Sequence, residues 1–271
     1  MANNLTLEDI DNLCLWYTRL EGNELESKEE ILDIDYIEAK NSLPKEIFKL
    51  NSLEQLHIEV EDLTEIPKEI GNLTNLVALS IIGCHNLKEL PKEIGNLTKL
   101  GCNGDSRYGG ILYIQDCHNL EELPKEIGNL SNLTGLEIGG CPNLKELPKE
   151  IGNLSNLTYL TIKDCPNLKE LPKEIGNLSN LTYLTIEDCP NLKELPKEIE
   201  NLDITLTIYN CPNLKELPKE YWNKGATRNY RIYIKIKNGD NIELLKSTLD
   251  SAISNSANKS LELTIELKNL D

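Results

Sequence analysis

Residues 147–170 read LPKEIGNLSNLTYLTIKDCPNLKE, and residues 171–194 repeat them with one change, Lys163 against Glu187. Related copies run through most of the chain, because Leu-Pro or Ile-Pro pairs place prolines at positions 44, 67, 91, 124, 148, 172, 196 and 218. Successive prolines lie 23, 24, 33, 24, 24, 24 and 22 residues apart, which is a period of 24 with one nine-residue insertion. Repeats of this length predict a solenoid, in which each unit packs mainly against its neighbours.

The apolar residues of one unit predict its local structure. Leu184 and Ile186 are two residues apart, which predicts a short strand whose side chains alternate between two faces. The remaining apolar gaps of three and four predict turns and a short outer helix or 3₁₀ segment. Pro172 suits the first helical position and Gly176 suits an early stop. Each unit is therefore predicted to be an inner strand, a turn and an outer helical segment.

The run Leu181-x-x-Leu184-x-Ile186-x-x-Cys189 resembles the signature of leucine-rich repeats. The LPKEIGNLSNL stretch resembles the repeats of intracellular Ras-group and plant disease-resistance proteins, and we expect a bacterial source. The resemblance spans residues 43–218. It implies an α/β fold, a right-handed horseshoe with a concave parallel β-sheet, for which we expect about ten strands. Such repeats serve as recognition surfaces for many unrelated partners, so the resemblance specifies the fold more than the function.

Six cysteines replace the inward asparagine of the family pattern, at positions 84, 117, 141, 165, 189 and 211. Stacked strands lie about 4.8 Å apart, so these thiols are predicted to form a buried ladder. A metal or redox array is the alternative. Zinc sites use ligand pairs two to four residues apart, a spacing that the cysteines lack, so we expect free structural thiols and no metal or cofactor. Cys102, inside the insertion, is the better candidate for an exposed thiol.

The charge of the chain narrows the classes of partner. Its 45 acidic against 28 Lys and Arg residues give a net charge of −17, which disfavours a nucleic-acid backbone. The apolar runs are too short to span a membrane. The first 20 residues lack a signal-peptide pattern, and Asn-x-Ser/Thr sequons recur on the repeat turns, where glycans would crowd. We therefore expect a cytoplasmic location, while export by another route stays open, and we expect a monomer.

The two ends differ from the repeats. Residues 1–42 are predicted to hold an N-terminal cap helix, which begins with a capping box at Thr6 and Asp9, and a first strand at residues 31–37. Residues 43–218 hold the repeats, with the insertion at 101–109. Residues 219–271 are predicted to form a strand-helix-strand C-terminal cap, with strands at 231–237 and 261–267. Its helix would bury one face, formed by Ile242, Leu245, Leu249 and Ile253. A separate small interaction module is the alternative for this segment.

The outward residues of the strands are the predicted binding surface. Tyrosines and carboxylates share this concave face, and tyrosine is enriched at protein interfaces. We expect a protein partner of basic or mixed charge. The candidate contact residues are Tyr113, Gln115, Asp116, Glu137, Tyr159, Thr161, Lys163, Asp164, Tyr183, Thr185, Glu187, Asp188, Tyr209 and Asn210, with Arg107 and Tyr108 of the insertion. Duplication without a selected partner is the alternative explanation of the recurring residues.

An enzymatic function is not expected. His85 and His118 follow ladder cysteines directly, and adjacent residues point apart, so this spacing does not build a nucleophile and base. The sequence therefore predicts a non-enzymatic recognition scaffold. The alternatives are a structural module without its own ligand, and a bacterial effector or surface protein that acts on host factors.

Overall fold

Ten parallel strands form one sheet in chain order in the part of the chain that the structure describes. The structure is a computed structural model and describes residues 5–20, 28–32, 36–102, 110–218, 230–237, 244, 246–248, 250 and 261–268. The strands are β1 Tyr36–Ala39, β2 Gln55–Ile58, β3 Ala78–Ile82, β4 Ile111–Gln115, β5 Gly135–Gly139, β6 Tyr159–Lys163, β7 Tyr183–Glu187, β8 Thr205–Tyr209, β9 Tyr230–Lys237 and β10 Leu261–Lys268. The predicted solenoid with about ten parallel strands is confirmed.

Short 3₁₀ helices connect the strands on the outer side. They are Lys45–Lys49, Lys68–Asn72, Lys92–Asn96, Lys125–Asn129, Lys149–Asn153, Lys173–Asn177 and Lys197–Asn201. Each begins directly after a proline, which occupies the N-cap rather than the expected first helical position. Gly176 lies inside its helix instead of ending it, close to the backbone carbonyl of Glu198 in the next repeat. The glycine is needed for close packing of consecutive repeats, because a Cβ there would overlap that carbonyl.

The core is a stack of Leu, Ile and Cys side chains between the strands and the 3₁₀ helices. In the unit that begins at Leu171, the side chains of Ile175, Leu184 and Ile186 are fully buried. The same positions are buried in neighbouring units, so each apolar column continues from one repeat to the next. Burial of many medium-sized side chains provides the stabilisation that a few large aromatics provide in other domains.

The N-terminal helix α1, Leu7–Leu15, begins with the predicted capping box. The Thr6 hydroxyl accepts from the backbone N–H of Asp9, and the Asp9 carboxylate accepts from the backbone N–H of Thr6. Lys49 Nζ lies 2.8 Å from Asp9 Oδ2 and ties α1 to the first repeat. Leu13 is fully buried, but Leu7, in the first turn of the helix, is 83% exposed.

The first strand was predicted too early in the chain. Residues 28–32 form a 3₁₀ helix, and the strand begins at Tyr36. Ile31 is fully buried, but within the 3₁₀ helix. Ile31 and Leu32 are adjacent apolar residues, so they do not give the alternating pattern of a strand. Along Tyr36–Ala39, in contrast, half-buried and buried residues alternate.

Strands β9 and β10 extend the sheet beyond the repeats. β9 pairs in parallel with β8 and with β10, as expected for a strand-helix-strand unit. Residues 244, 246–248 and 250 between them are helical, and Leu244 is fully buried. The four residues predicted for the buried helix face lie outside the described residues. The role of this segment as a cap stays a prediction.

Candidate functional site

The concave face consists of the strand residues that alternate with the buried Leu and Ile residues. On β6 and β7 the pattern is regular, since Leu160, Ile162, Leu184 and Ile186 are fully buried while the residues between them are not. Of the predicted contact residues, the structure places these on the concave face: Tyr113, Gln115, Glu137, Tyr159, Thr161, Lys163, Tyr183, Thr185, Glu187 and Tyr209. They range from half-buried to exposed, and are therefore open to a partner.

Two tyrosines stand side by side near the middle of this face. Tyr159 of β6 pairs in register with Tyr183 of β7, and Tyr183 is 54% exposed. The ring of Tyr159 lies over Gly135 of β5, where a Cβ would overlap it. Burial raises the pKa of Tyr159, and the carboxylate of Glu137 adds to this shift. Because Gly135 has no side chain, the Tyr159 ring can lie over β5, whereas the Tyr183 ring is exposed to solvent.

Polar side chains flank the tyrosines in cross-strand pairs. Gln115 of β4 donates a hydrogen bond from Nε2 to the carboxylate of Glu137 on β5. Lys163 Nζ lies 3.6 Å from Glu187 Oε2 across β6 and β7. Burial raises the pKa of Glu137, while the hydrogen bond from Gln115 and the positive charge of Lys163 partly offset this rise. A surface of aromatic rings with paired, partly buried polar groups can offer both apolar contact area and directed hydrogen bonds.

Four predicted contact residues lie at the edge of the sheet instead of on the concave face. Asp116, Asp164, Asp188 and Asn210 each follow the last residue of a strand and have φ values of 53°, 50°, 52° and 47°. Gly140 occupies the same column with φ 59°. This left-handed conformation lets the N–H groups of Asp116, Gly140, Asp164 and Asp188 continue the strand pairing; for example, Asp164 N donates to Glu187 O at 3.0 Å. Asn, Asp and Gly tolerate it best, so the column has a structural reason.

These edge residues line a shallow groove. Asp116, Asp164, Asp188 and Asn210 contribute to it, together with the ring of Pro166 and equivalent positions in the neighbouring repeats. Burial raises the pKa of Asp164, and the nearby carboxylates of Asp188 and Asp116 raise it further. Asn210 donates to Asp188 Oδ1 and so satisfies one of the three acids. The groove is a second acidic surface, separate from the tyrosines.

The cysteine ladder is buried and structural, as predicted. All six ladder thiols are fully buried, and Cys102 is exposed. Each thiol donates to the carbonyl two residues earlier, as Cys165 Sγ does to Lys163 O at 3.2 Å. Burial raises the pKa of Cys141 to about 11 and of Cys165, Cys189 and Cys211 to about 12. Thiols with such pKa values are poor nucleophiles at neutral pH.

Two groups of residues were missed by the sequence analysis. The first is Glu38, which lies on the concave face beside His57 and was overlooked because the first strand was placed too early. The second is a set of asparagines whose side-chain amides donate to a backbone carbonyl of the preceding repeat, at Asn132, Asn156, Asn167, Asn180, Asn191 and Asn213. Their recurrence along the repeats was visible in the sequence, but Asn132, Asn156 and Asn180 were interpreted as sequons, which obscured this simpler role. Arg107 and Tyr108 lie outside the described residues.

This geometry defines a parallel β-solenoid. Residues 111–185 match a family model described as a leucine-rich repeat region. The leucine-rich repeat domain of the type III effector XopL is 26% identical, with a TM-score of 0.62, over 74% of this chain and 69% of that chain. A Leptospira interrogans leucine-rich-repeat protein is 24% identical, with a TM-score of 0.42, over 90% and 82% of the two chains.

Residues 111–185 therefore match a leucine-rich repeat region, and the fold of the described chain is that of leucine-rich-repeat structures. No curated protein matches its sequence significantly. The fold commonly serves as a scaffold for protein–protein interaction, through the extended concave surface that stacked repeats create. Within the described residues, no helix combines the length and apolar composition that a bilayer crossing requires.

Proposed function

We propose that the protein is a non-enzymatic recognition scaffold that binds a protein partner on its concave face around Tyr159 and Tyr183. The observation that carries the proposal is the exposure of Tyr183. This large aromatic residue is 54% exposed to solvent, near the middle of the concave face. Buried tyrosine anchors contribute strongly to binding energy at protein interfaces. The neighbouring Tyr159 enlarges the same apolar area, because it pairs with Tyr183 in register.

The charge of the surface supports a partner with basic groups. Glu137 and Glu187 flank the tyrosines on the concave face, and Asp116, Asp164 and Asp188 line the adjacent edge. Lys163 compensates one of these charges through its ion pair with Glu187. The net charge of −17 adds a long-range attraction for a cationic protein. The expected partner therefore places Arg or Lys side chains beside an apolar contact.

Comparative capture from the proteome tests this proposal. The wild type is compared with Tyr159→Ala/Tyr183→Ala/Tyr209→Ala and with Lys149→Ala/Lys173→Ala/Lys197→Ala, a control triple on the exposed outer 3₁₀ helices. We expect a protein that is captured by the wild type and by the lysine variant but lost from the tyrosine variant. Capture that is the same for all three proteins contradicts a concave-face binding site.

A second candidate function is that of a bacterial effector that acts on host factors. It is favoured by the 26% identity to the repeat domain of a type III effector. The two candidates differ in where the protein is found. Fractionation of the source culture separates them, because an effector is recovered outside the producing cell under secreting conditions, whereas an internal scaffold is not.

A further inference from the structure

Three side chains with metal-ligating atoms meet at the N-terminal end of the concave face, away from the tyrosines. Glu38 on β1 pairs in register with His57 on β2. Glu59 is two residues beyond His57 and points to the same side, and its N–H donates to Ala39 O at 2.8 Å, which continues the pairing of the strands. One nitrogen or oxygen from each of the three side chains lies within 4.8 Å of the other two.

We propose that Glu38, His57 and Glu59 form a binding site for a divalent transition metal ion, with Zn²⁺ as the best fit. One imidazole nitrogen and two carboxylate oxygens are ligands that zinc accepts, with a water in the fourth position. Calcium and magnesium favour sites made entirely of oxygen, so the imidazole disfavours them. The site is distinct from the proposed protein-binding surface on β4–β8.

The distances from His57 to the two glutamates require only small side-chain movements. His57 Nε2 lies 3.7 Å from Glu59 Oε2 and 4.0 Å from Glu38 Oε1. Ligands about 2.1 Å from a tetrahedral ion are about 3.4 Å apart, so these pairs would close by less than about 1 Å. The side chains of Glu38 and Glu59 are 37% and 51% exposed, which leaves them free to close, while that of His57 is only 8% exposed and stays fixed.

A buried hydroxyl lies on the other side of the histidine. Ser80 on β3 pairs in register with His57, so the imidazole stands between Glu38 on one neighbouring strand and Ser80 on the other. The Ser80 side chain is fully buried, and its Oγ has no hydrogen-bond partner within the described part of the chain. Histidine ligands commonly use a second polar group to fix the ring orientation, and Ser80 is placed to supply one.

The surrounding charge also favours a cation. Residues 1–62 carry 16 acidic and 5 basic side chains. One of the basic residues competes directly, because Lys40 Nζ lies 3.2 Å from Glu38 Oε1. The lysine side chain is 53% exposed and can move into solvent when a metal ion takes its place. The simpler alternative is that His57 forms ion pairs with the two glutamates and binds no metal.

Isothermal titration of the full chain with ZnCl₂ at pH 7.5 distinguishes these possibilities. The protein carries no histidine tag, and all variants are made in a Cys102→Ser background, because the exposed thiol of Cys102 could bind zinc itself. We expect one saturable site and at least a tenfold loss of affinity in Glu38→Gln and in Glu59→Gln. Lys40→Met should bind more tightly than the parent, since it removes the competing ammonium group.

A matched control uses the other two histidines of the chain. His85 and His118 stack with their ring centroids 4.2 Å apart and are the alternative place for zinc to bind. If zinc binds at Glu38, His57 and Glu59, His118→Asn should leave the measured affinity unchanged. His57→Ala removes a buried side chain, so its binding data are used only if its circular dichroism spectrum matches that of the parent. If His57→Ala does not fold, the two glutamate variants still test the site. The proposal is overturned if zinc shows no saturable binding, or if its affinity falls in His118→Asn and not in Glu38→Gln and Glu59→Gln.

Discussion

Lys163 and Glu187 face each other across β6 and β7, with Nζ of the lysine 3.6 Å from Oε2 of the glutamate. They are the two residues at which the otherwise identical segments 147–170 and 171–194 differ. Identical repeats would place two like charges directly opposite each other, which destabilises a sheet. The one difference between the two copies therefore creates an ion pair in place of a repulsion.

Lys163→Glu should restore that repulsion and lower the free energy of unfolding by up to about 1 kcal/mol, with a smaller effect at high salt because the pair is partly exposed. Urea unfolding at low and high ionic strength measures the change. The exchange Lys163→Glu/Glu187→Lys should recover most of the loss, because it keeps opposite charges across the strands. A double variant as unstable as Lys163→Glu would show that the contact contributes nothing.

Gly140 and Gly139 provide a matched pair at the end of β5. Gly140 has φ 59°, and a Cβ there would lie 3.0 Å from the Asp116 backbone and overlap its carboxylate. Gly140→Ala should therefore cost at least about 1–2 kcal/mol. At Gly139 the nearest atom to a Cβ would be 3.7 Å away, so Gly139→Ala should change stability by less than about 0.5 kcal/mol. Equal losses of stability for Gly140→Ala and Gly139→Ala in urea unfolding would contradict the structural role of the left-handed conformation at the strand ends.

The thiols should differ sharply in reactivity. Cys102 is exposed, whereas the ladder thiols are fully buried and burial holds the pKa of Cys165 at about 12. Brief treatment of the folded protein with iodoacetamide should modify Cys102 alone, and mass spectrometry of the digest identifies the site. Unfolding in urea should expose the remaining cysteines to the reagent, so that they are modified as well. Rapid labelling of Cys165 in the folded state would show that the ladder is open to solvent.

Asp9 gives the N-terminal helix a pH-dependent stability. The hydrogen bond from Lys49 and those from Thr6 lower the pKa of Asp9 from 3.8 to about 2. A carboxylate with a lowered pKa stabilises the folded state above about pH 4, and this contribution is lost as the pH falls through about 2. The wild type should therefore be more stable than Asp9→Asn at pH 5, and the difference should shrink toward pH 2. A difference that is the same at both pH values in urea unfolding would rule out this role.

The repeats were predictable because their pattern is local and recurs. Leu184 and Ile186 at spacing two mark the strand, and the prolines mark the start of each outer helix, so a single unit implies all the others. The first strand lacked such support from a neighbouring copy. Its prediction began at the apolar Ile31 and Leu32, which pack in a 3₁₀ helix instead, and ended at Ile37, so that it left out Glu38 and Ala39.

The candidate site was predictable only in part. Alternation along a strand placed Tyr159 and Tyr183 on one face, which the structure confirms. The same reasoning extended the face to Asp164 and Asp188, because side-chain alternation carries no information on where a strand ends. Their left-handed conformation depends on a hydrogen bond from each N–H to the following strand, which is a contact between repeats. The cluster of Glu38 and His57 also depends on the register of two strands.

The central claim is that the concave tyrosines form the binding surface, and the affinity for a captured partner tests it most directly. The purified partner is titrated by calorimetry into the wild type, the Tyr159/Tyr183/Tyr209 alanine variant and the Lys149/Lys173/Lys197 alanine variant, all with matching circular dichroism spectra. We predict that Kd rises at least tenfold for the tyrosine variant and stays within twofold for the lysine variant, since hot-spot residues cost about 2 kcal/mol or more on truncation. An unchanged Kd in the tyrosine variant, or a loss confined to the lysine variant, would contradict the account.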